Sequence, residues 1–513
     1  MSNPIPVIDL FAGPGGLAEG FSSVSDSEEK LFDIALSVEK EYSAWRTLRL
    51  RAFVRQFGNN IPNEYYEYIS GNLGSNPEET LFQKYPKEAK SAKAEAIQFT
   101  LGQDDNSELD KAIKEKLGDN KKWVLIGGPP CQAYSLAGRV KNHNDSNYIP
   151  EEDHRNFLYL EYLRILEKFR PSVFVMENVK GILSSKINGE SVFQKILHDL
   201  ESPPSKSRKN KCPKYKIYSL VKTIEHGGSL DPHDFIICSE KFGIPQARHR
   251  VILVGVREDI RSQPKQLIEK QATSVHQAIG DLPKLRSGRS KHRSTDTHEA
   301  WAQTIQKEIQ AALREITDAK TLTAISTALK NINTTNLNRG GKWITTGSMT
   351  GKGSPQELSS WYKDKNLKSA INHDTRGHMD SDLARYLFCS SFAQANKKKS
   401  VRTSPRLPDF PRSLLPNHKN VKSGKFLDRF KVQEKHHPAS TITSHISKDG
   451  HYFIHYDPAQ CRSLTVREAA RLQTLPDNYF FEGNRTEQYV QVGNAVPPLL
   501  ANKIARIIYQ ILI

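Results

Sequence analysis

The stretch Pro4-Ile-Pro-Val-Ile-Asp-Leu-Phe-Ala-Gly-Pro-Gly-Gly16 decides the fold of this chain. Its apolar first half predicts a short buried strand, and the glycine-rich turn at residues 12–16 predicts a helix that begins near Leu17. Glycines that follow a strand let the backbone approach a nucleotide-like ligand, because no side chain stands in the way. The stretch therefore predicts the first strand and the ligand loop of an α/β sheet.

Four further apolar segments predict more strands of the same sheet. They lie at residues 34–38, 123–126, 172–176 and 251–255, and a helical stretch at residues 157–169 precedes the third of them. Strands that alternate with helices indicate a doubly wound, mainly parallel sheet, whose functional side chains follow the carboxyl ends of the strands. Residues 1–257 are therefore expected to form one α/β domain.

The strand pattern stops after residue 257 and gives way to polar sequence. Residues 258–460 have few strand signals and show helical periodicity at 301–332. Helical, apolar sequence returns in residues 461–513, which end in a predicted helix. We expect residues 258–460 to form a second, smaller domain and residues 461–513 to return to the first one.

The charge of the chain points to a polyanionic partner. The 513 residues carry a net charge of +17, with a pI near 9.4, which favours nucleic acid as the partner. The five cysteines include no Cys-x-x-Cys pair, so neither a zinc site nor a disulfide framework is expected. No signal peptide and no apolar run of ~20 residues is visible, so we expect a cytoplasmic protein.

A carboxylate at the end of the second predicted strand complements the glycine loop. Glu39 follows the segment 34–38, where a carboxylate can bind the ribose hydroxyls of a nucleotide-like ligand. Gly13, Gly15 and Ala18 also fit the Gly-x-Gly-x-x-Ala pattern of dinucleotide enzymes. These residues alone therefore leave a dehydrogenase open.

A cysteine follows the strand predicted at 123–126. Gly128-Pro-Pro-Cys-Gln132, with Tyr134 and Ser135 after it, places Cys131 in a loop that two prolines stiffen. A cysteine thiolate is a strong nucleophile where it is accessible. The position favours a nucleophile over a buried structural cysteine, which is the commoner fate of a lone cysteine.

Charged side chains accompany two more predicted strands. Glu177, in Met176-Glu-Asn-Val179, follows a strand and can act as a general acid if its surroundings raise its pKa. In Gln246-Ala-Arg-His-Arg250, Arg248 and Arg250 alternate, so they are expected to point the same way and grip a phosphate or a base carbonyl. Taken singly, Glu177 could also be an ordinary surface carboxylate, and Arg248 and Arg250 could be part of a solvated basic edge.

In this order, the segments resemble the motifs of the DNA (cytosine-5) methyltransferases. The resemblance is carried by Phe11–Gly16, Gly128–Gln132 with Tyr134–Gly138, Glu177–Val179, Gln246–Arg250, Arg462–Gln473 and Gln491–Pro498. It implies the α/β fold of the S-adenosylmethionine-dependent methyltransferases, with a target-recognition domain at residues 258–460. It also implies S-adenosyl-L-methionine as cofactor and double-stranded DNA as substrate.

The resemblance implies a role for each residue that matches a motif. The expected catalytic residues are Cys131, Glu177, Arg248 and Arg250. The expected cofactor-binding residues are Phe11, Gly13, Gly15, Glu39, Asp104, Pro129, Leu158, Asn494 and Val496, with Asp105 as the alternative to Asp104. Substrate contacts are expected at Gln132, Ser135 and Gln246, and no metal is expected.

The implied reaction begins when the Cys131 thiolate attacks carbon 6 of cytosine, which makes carbon 5 nucleophilic. Glu177 would protonate ring nitrogen 3, while Arg248 and Arg250 would hold the base carbonyl and steady the catalytic loop. After methyl transfer, loss of the carbon 5 proton expels the cysteine. The target base has to leave the stacked duplex to reach these groups.

Other functions fit the residues less well. Amino-methylating DNA enzymes carry a Pro-Pro-Tyr type loop where this chain has a cysteine after Pro130, and a dehydrogenase would leave the Cys, Glu and Arg motifs unused. A catalytically inactive nucleic-acid-binding protein would not need Cys131, Glu177 and Arg250. A compact branch of the family that methylates tRNA shares the motifs and is the main alternative. The layout resembles a monomeric bacterial or phage enzyme paired with a restriction endonuclease, by analogy alone.

Overall fold

The computed structural model describes residues 3–27, 29–130, 158–187, 189–204, 212–223, 230–290, 295–346, 353–397, 404–417 and 427–513. Cys131, Gln132 and Ser135, for which catalytic and substrate-binding roles are predicted, lie outside these residues.

An eight-stranded sheet lies at the centre of the structure. Its strands are β1 (Ile5–Leu10), β2 (Phe32–Glu39), β3 (Ala96–Gln98), β4 (Val124–Gly127), β5 (Val173–Val179), β6 (Tyr215–Tyr218), β7 (Ile236–Cys238) and β8 (His249–Arg257). They are ordered β6-β8-β5-β4-β1-β2-β3, and β7 also pairs with β8. β1 to β5 run parallel, whereas β8 is antiparallel to β5, β6 and β7. The predicted α/β fold with a mainly parallel sheet is confirmed.

Apolar side chains cover both faces of this sheet. Val7 and Ile8 of β1 belong to two different buried clusters, because successive residues of a strand point to opposite faces. Strands that are buried on both faces read as continuous apolar runs, which is why the sequence reveals them. The helices of this part are Gly16–Ser22, Tyr42–Arg55, Asn63–Ile69, Pro77–Lys84, Pro86–Glu95, Asn106–Leu117, Leu158–Phe169 and Val192–Glu201.

Residues 258–460 consist mostly of helices and short turns. The helices are Val275–Ile279, His298–Glu315, Ala319–Thr334, Gln356–Tyr362 and Asp380–Ala395, and the strands Gly340–Thr345 and Ser369–Asp374 form an antiparallel pair. The single helical stretch predicted at 301–332 is two helices, because the Asp318 side chain accepts a hydrogen bond from the Thr321 backbone and begins the second one. Trp301 and Tyr386 are fully buried in a cluster of this region.

Ala439 and Ile442 of the same region belong to the buried cluster that contains Val7 of β1. The division of the chain at residues 257 and 460 stays a prediction.

Short 3-10 turns lie at Lys180–Ser184, Pro232–Phe235, Ser239–Lys241, Leu407–Asp409, Arg412–Leu414, Ser444–Ser447, His451–Phe453 and Pro458–Gln460. Two-residue strands pair as Ser25–Asp26 with Glu29–Lys30, Lys186–Ile187 with Glu190–Ser191, Gln246–Ala247 with Ala439–Ser440, and Gly288–Arg289 with Gly377–His378.

The last helices of the chain pack against the first one. They are Val466–Leu472, Arg485–Asn494 and Pro498–Leu512. A Cβ atom on Gly20 would lie 2.4 Å from the Cβ of Ala501, so the first and last helices are in close backbone contact. The Asn502 amide donates a hydrogen bond to Ser23 Oγ at 2.9 Å. Within the described parts of the chain, the helices lack the combination of length and apolar character that crossing a membrane requires.

Candidate active site

The glycine loop leaves β1 in a left-handed backbone conformation. Phe11, Gly13 and Gly15 have φ angles of 56°, 57° and 95°. Glycine adopts such angles without steric cost, whereas Phe11 is a strained position of the kind that clusters at functional sites. The Ala12 N–H donates to Val38 O at 3.0 Å, which ties the loop to the end of β2.

Glu39 holds this loop through its carboxylate. It is the last residue of β2, and its two oxygens accept hydrogen bonds from the Gly13 N–H at 2.7 Å and the Glu41 N–H at 2.8 Å. Desolvation by burial raises the pKa of Glu39, while the two backbone donors oppose that shift. A carboxylate has about four lone-pair sites, so Glu39 can accept further hydrogen bonds from ribose hydroxyls.

The space above the loop fits a nucleotide-like cofactor. A Cβ atom built on Gly13 would meet none of the described residues within 4 Å, so their side chains leave room for a ligand to approach the backbone there. Open space over Gly13, together with acceptor capacity on Glu39, suits the ribose side of S-adenosyl-L-methionine. The loop and the carboxylate therefore fit the cofactor that the motifs imply.

The C-terminal segment supports the loop from behind. A Cβ on Gly16 would lie 2.3 Å from the carbonyl oxygen of Val496, and the Tyr479 hydroxyl donates to Pro14 O. Val496 is buried, whereas Asn494 is exposed at the end of the helix Arg485–Asn494. The structure thus brings the segment 494–496 to the glycine loop across more than 470 residues of sequence.

The other predicted cofactor contacts lie at different elements. Asp104 is exposed, and its carboxylate accepts a hydrogen bond from the Thr100 N–H at 2.6 Å in the turn after β3. Asp105 instead caps the next helix at Ser107. Pro129 is buried next to β4, and Leu158 is the half-buried first residue of its helix. Their roles stay predictions.

A buried carboxylate that the sequence analysis did not single out lies beneath the loop. Asp9 is fully buried in β1, and burial raises its pKa well above the usual value, although the charge of Arg55 opposes the shift. It pairs in register with Ser37 of β2. A charged residue inside an otherwise apolar strand was the signal that could have identified it.

Glu177 and Arg250 form an ion pair at the edge of the sheet. Nε of Arg250 lies 2.9 Å from Oε1 of Glu177, and Nη1 of Arg250 donates to the carbonyl of His249 at 2.9 Å. The prediction that Glu177 follows its strand is wrong, because β8 pairs with β5 as far as Val179 and keeps Glu177 inside the strand. Its side chain is 13% exposed, so solvent reaches it.

The loop that leads to Cys131 begins at this ion pair. A Cβ on Gly128 would lie 2.9 Å from Oε2 of Glu177, so the carboxylate rests against the loop backbone. The Asn178 amide donates to Pro129 O at 3.4 Å. These contacts of Gly128 and Asn178 were not predicted, although both residues lie inside motifs that the sequence shows. The described backbone between Gly128 and Pro130 therefore lies against Glu177 and Asn178.

Arg248 and Gln246 hydrogen-bond to buried backbone groups and do not take part in the Glu177–Arg250 ion pair. Nη1 of Arg248 donates to Ile442 O at 2.9 Å and to Gly493 O at 3.2 Å, and burial lowers its pKa well below the usual value. The Gln246 amide donates to Leu472 O at 3.1 Å and accepts from the Ile442 N–H at 2.7 Å. We expected Arg248 and Arg250 to reach one target. The structure differs, because Arg248 donates its hydrogen bonds to backbone carbonyls.

Comparison with known proteins identifies the family of this chain. The sequence model of the family described as C-5 cytosine-specific DNA methylase matches residues 86–203 and 231–510. The chain is 32% identical over 527 residues to the Type II methyltransferase M.Bpa9945I of Bacillus paralicheniformis, covering 99% of both. It is 26% identical to the Type II methyltransferase M.DdeI of Desulfomicrobium norvegicum, covering 97% of this chain and 87% of that one.

A solved structure shares the fold. It is assigned as a DNA modification methyltransferase encoded within a prophage (E. coli), is 18% identical, and covers 99% of both chains with a TM-score of 0.55. Sheet, glycine loop and acid–arginine pair thus define a methyltransferase of the S-adenosylmethionine-dependent fold. The chain belongs to the C-5 cytosine-specific DNA methylase family and is a DNA (cytosine-5) methyltransferase.

Proposed function

We propose that the protein methylates carbon 5 of cytosine within a specific sequence of double-stranded DNA, through a covalent bond between Cys131 and a base flipped out of the duplex. One observation carries the proposal: the Glu177 carboxylate rests against Gly128, three residues before Cys131, and is ion-paired with Arg250 at 2.9 Å. This arrangement supports a nucleophile, a proton donor and a cation at one edge of the sheet, as the reaction requires.

Each side chain has a distinct task in this mechanism. The Cys131 thiolate forms a bond to carbon 6 of the ring, and Glu177 delivers a proton to ring nitrogen 3, so that carbon 5 gains the electron density needed to attack a methyl group. Arg250 holds the Glu177 carboxylate in one orientation and is available to the base carbonyl. When a base removes the carbon 5 proton, the electron pair of that bond re-forms the double bond between carbons 5 and 6 and the Cys131 thiolate leaves. Ring nitrogen 3 then returns its proton to Glu177.

S-adenosyl-L-methionine supplies an electrophilic methyl group on a sulfonium. Glu39 is proposed to accept hydrogen bonds from its ribose hydroxyls, and the open backbone at Gly13 admits it closely. Phe11, Gly15, Pro129, Leu158, Asn494 and Val496 are proposed to complete the pocket, with Asp104 or Asp105 at its far side. The Val496 carbonyl packs on Gly16, where the loop enters the first helix.

The substrate is proposed to be held in a basic region formed with residues 258–460. The net charge of +17 supports phosphate binding, which provides affinity without sequence information. A few base-edge contacts from residues 258–460 would select the site, and Gln132 and Ser135 would contact the flipped base. Extrusion of the base is required because carbons 5 and 6 are inaccessible within a stacked duplex.

The biological role proposed is that of a modification enzyme in a type II restriction system of a bacterial cytoplasm, acting as a monomer. The relatives named Type II methyltransferases, aligned over almost the whole chain, support this role. A paired restriction endonuclease would then recognise the same sequence. The relatives do not favour methylation of tRNA.

Bisulfite sequencing of genomic DNA from cells that express the protein tests substrate, position and specificity together. We expect cytosines within one short sequence to resist conversion, while a Cys131→Ser variant leaves all cytosines convertible. Methylation of tRNA with unmodified DNA would contradict the proposal. Protection that spreads over all cytosines without sequence preference would contradict the target-recognition role of residues 258–460.

A further inference from the structure

A cysteine, a glutamate and a histidine meet beside the catalytic ion pair. Ligand atoms of Cys238, Glu240 and His249 all lie within 4.8 Å of one another. Cys238 and His249 are register partners on the antiparallel strands β7 and β8. None of the three has a task in the methyl transfer described above, so their convergence calls for a separate explanation.

The backbone around these residues is fixed. Cys238 ends β7 and is followed at once by the 3-10 turn Ser239–Lys241, which carries Glu240. Ser239 is fully buried; its hydroxyl donates to Gln246 O at 2.7 Å and accepts from the Arg248 N–H at 3.0 Å. The turn and β8 are therefore fastened together, which holds the three ligand side chains in place before any ion binds.

The side chains are directed at one another and reachable from solvent. Nε2 of His249 lies 2.8 Å from Oε1 of Glu240, and the second Glu240 oxygen, Oε2, is buried and has no hydrogen-bond partner among the described residues. The exposed fractions of the His249 and Glu240 side chains are 39% and 23%, so an ion can enter. Burial raises the pKa of the Cys238 thiol, which disfavours a role as a free nucleophile.

We propose that Cys238, Glu240 and His249 form a binding site for one borderline-soft divalent cation of the Zn²⁺ class, with water in the fourth position. Thiolate, imidazole and carboxylate are the ligands that Zn²⁺ takes in proteins, and three protein ligands with one open position are a known arrangement. On binding, the thiol proton is released to solvent and the sulfur forms the metal bond, so no other reactant is needed.

The ligand spacing explains why the sequence predicted no metal. Cys238 ends β7, Glu240 lies in the turn that follows, and His249 lies on β8, so no Cys-x-x-Cys or His-x-His pattern appears. The site adjoins the reaction centre, because the His249 carbonyl accepts from Arg250, the partner of Glu177. Metal binding does not depend on the proposed methylation mechanism.

The test uses the full chain, reduced and freed of metal with a chelator that is then removed. We expect Co²⁺ to bind at about one ion per chain and to produce a thiolate-to-cobalt charge-transfer absorption band that Zn²⁺ abolishes. Cys238→Ser should lose the band, His249→Gln should weaken Co²⁺ and Zn²⁺ binding at least tenfold, and Glu240→Gln should weaken them to a smaller extent. A Cys131→Ser variant should keep the band, because that thiol lies in a different loop.

The matched control is Glu258→Gln, an exposed carboxylate at the other end of β8, which should bind Co²⁺ as the wild type does. Equal thermal midpoints of the metal-free variants would establish that each one folds; should Cys238→Ser fail to fold, His249→Gln decides. No saturable binding at micromolar Co²⁺ or Zn²⁺ would overturn the proposal. So would a band that persists in Cys238→Ser, or one that disappears only in Cys131→Ser.

Discussion

Nε of Arg250 lies 2.9 Å from Oε1 of Glu177, across the antiparallel pairing of β8 with β5. The register of the two strands fixes this distance, since Arg250 is paired with Val179 and Ile252 with Glu177. The carboxylate is held against Gly128 on its other side. Contacts on two sides hold the carboxylate in one orientation. A group that donates a proton to one ring nitrogen needs such a fixed orientation.

Glu177→Gln is expected to slow methyl transfer by about 100- to 10,000-fold, the usual cost of losing a general acid. The amide preserves the shape and can still contact Gly128, so DNA affinity and thermal stability should change little. Single-turnover transfer of a radiolabelled methyl group measures the rate, and Glu258→Gln is the matched exposed control. A rate loss below about threefold would mean that Glu177 is an ordinary surface carboxylate and not the general acid.

Arg248 and Arg250 are expected to fail in different ways when each is changed to Met. Arg248 satisfies the carbonyls of Ile442 and Gly493, and leaving buried carbonyls unpaired costs about 1–3 kcal/mol each, so R248M should lower the free energy of unfolding by about 2–4 kcal/mol. R250M should lower the free energy of unfolding by less than R248M does, because the Glu177 side chain that loses its partner keeps some contact with solvent, and it should lower the methylation rate at least tenfold.

Urea denaturation and single-turnover kinetics on the two arginine variants separate these effects. If R250M were the more destabilised variant, and R248M were folded but the less active one, the roles would be reversed: Arg250 would stabilise the fold and Arg248 would serve methyl transfer. The comparison is informative because the two residues are equal in chemistry and two positions apart.

Gly20→Ala should destabilise the protein even though alanine is the better helix former by about 1 kcal/mol. The added Cβ would lie 2.4 Å from the Ala501 Cβ and 2.5 Å from the Pro498 carbonyl, which forces the first and last helices apart. Overpacking of this kind costs about 1–3 kcal/mol. Ser22→Ala in the same helix is the control. A urea midpoint above that of the wild type would mean that the two helices do not touch at Gly20.

His373 is expected to make the protein acid-sensitive. Its Nε2 is 2.9 Å from Pro283 O and its Nδ1 is 2.8 Å from the Thr465 hydroxyl, a pattern that suits a neutral ring donating from Nε2 and accepting at Nδ1. Burial, the largest cause, lowers its pKa from 6.5 to about 4. His373 therefore becomes protonated below pH ~6.5 in the unfolded chain, but only near pH ~4 in the folded chain. The free energy of unfolding consequently falls as the pH drops through this window.

The share of His373 in this loss is about 2 kcal/mol between pH 7 and pH 5. Urea denaturation at both pH values should show that His373→Gln loses less stability than the wild type by about that amount, since an amide does not titrate. The exposed His198→Gln is the control. Buried His455, whose pKa is also lowered, to about 3, acts in the same direction in all variants. Identical pH dependence of His373→Gln and the wild type would contradict the assignment.

The sequence was sufficient for five of the eight strands and for the glycine loop, for a physical reason. β1, β2, β4, β5 and β8 are buried on both faces, so each reads as an apolar run. Phe11 and Glu39 could be assigned to one site because the carboxyl ends of parallel strands meet at one edge of the sheet. By contrast, the helix Asp380–Ala395 was missed, since buried residues occur all around it and leave no periodic apolar face.

Contacts between distant segments could not be predicted. Whether Arg248 faces the reaction centre or the interior depends on the carbonyl of Ile442, which lies 194 residues away in the sequence. The end of β5 depended on the length of β8, which pairs with it, and not on the residues around Glu177. One sequence shows which residue types are present in a motif, but the partner that each side chain chooses is set by the tertiary fold.

The central claim is that Cys131 bonds to the target base, and a mechanism-based trap tests it most directly. A duplex with 5-fluorocytosine at the methylated position, incubated with the protein and S-adenosyl-L-methionine, should give a complex that survives denaturation, because fluorine cannot leave as the proton does. Digestion and peptide mass analysis should locate the bond at Cys131. Absence of a covalent complex on a confirmed target sequence, or a bond at another residue, would contradict the account.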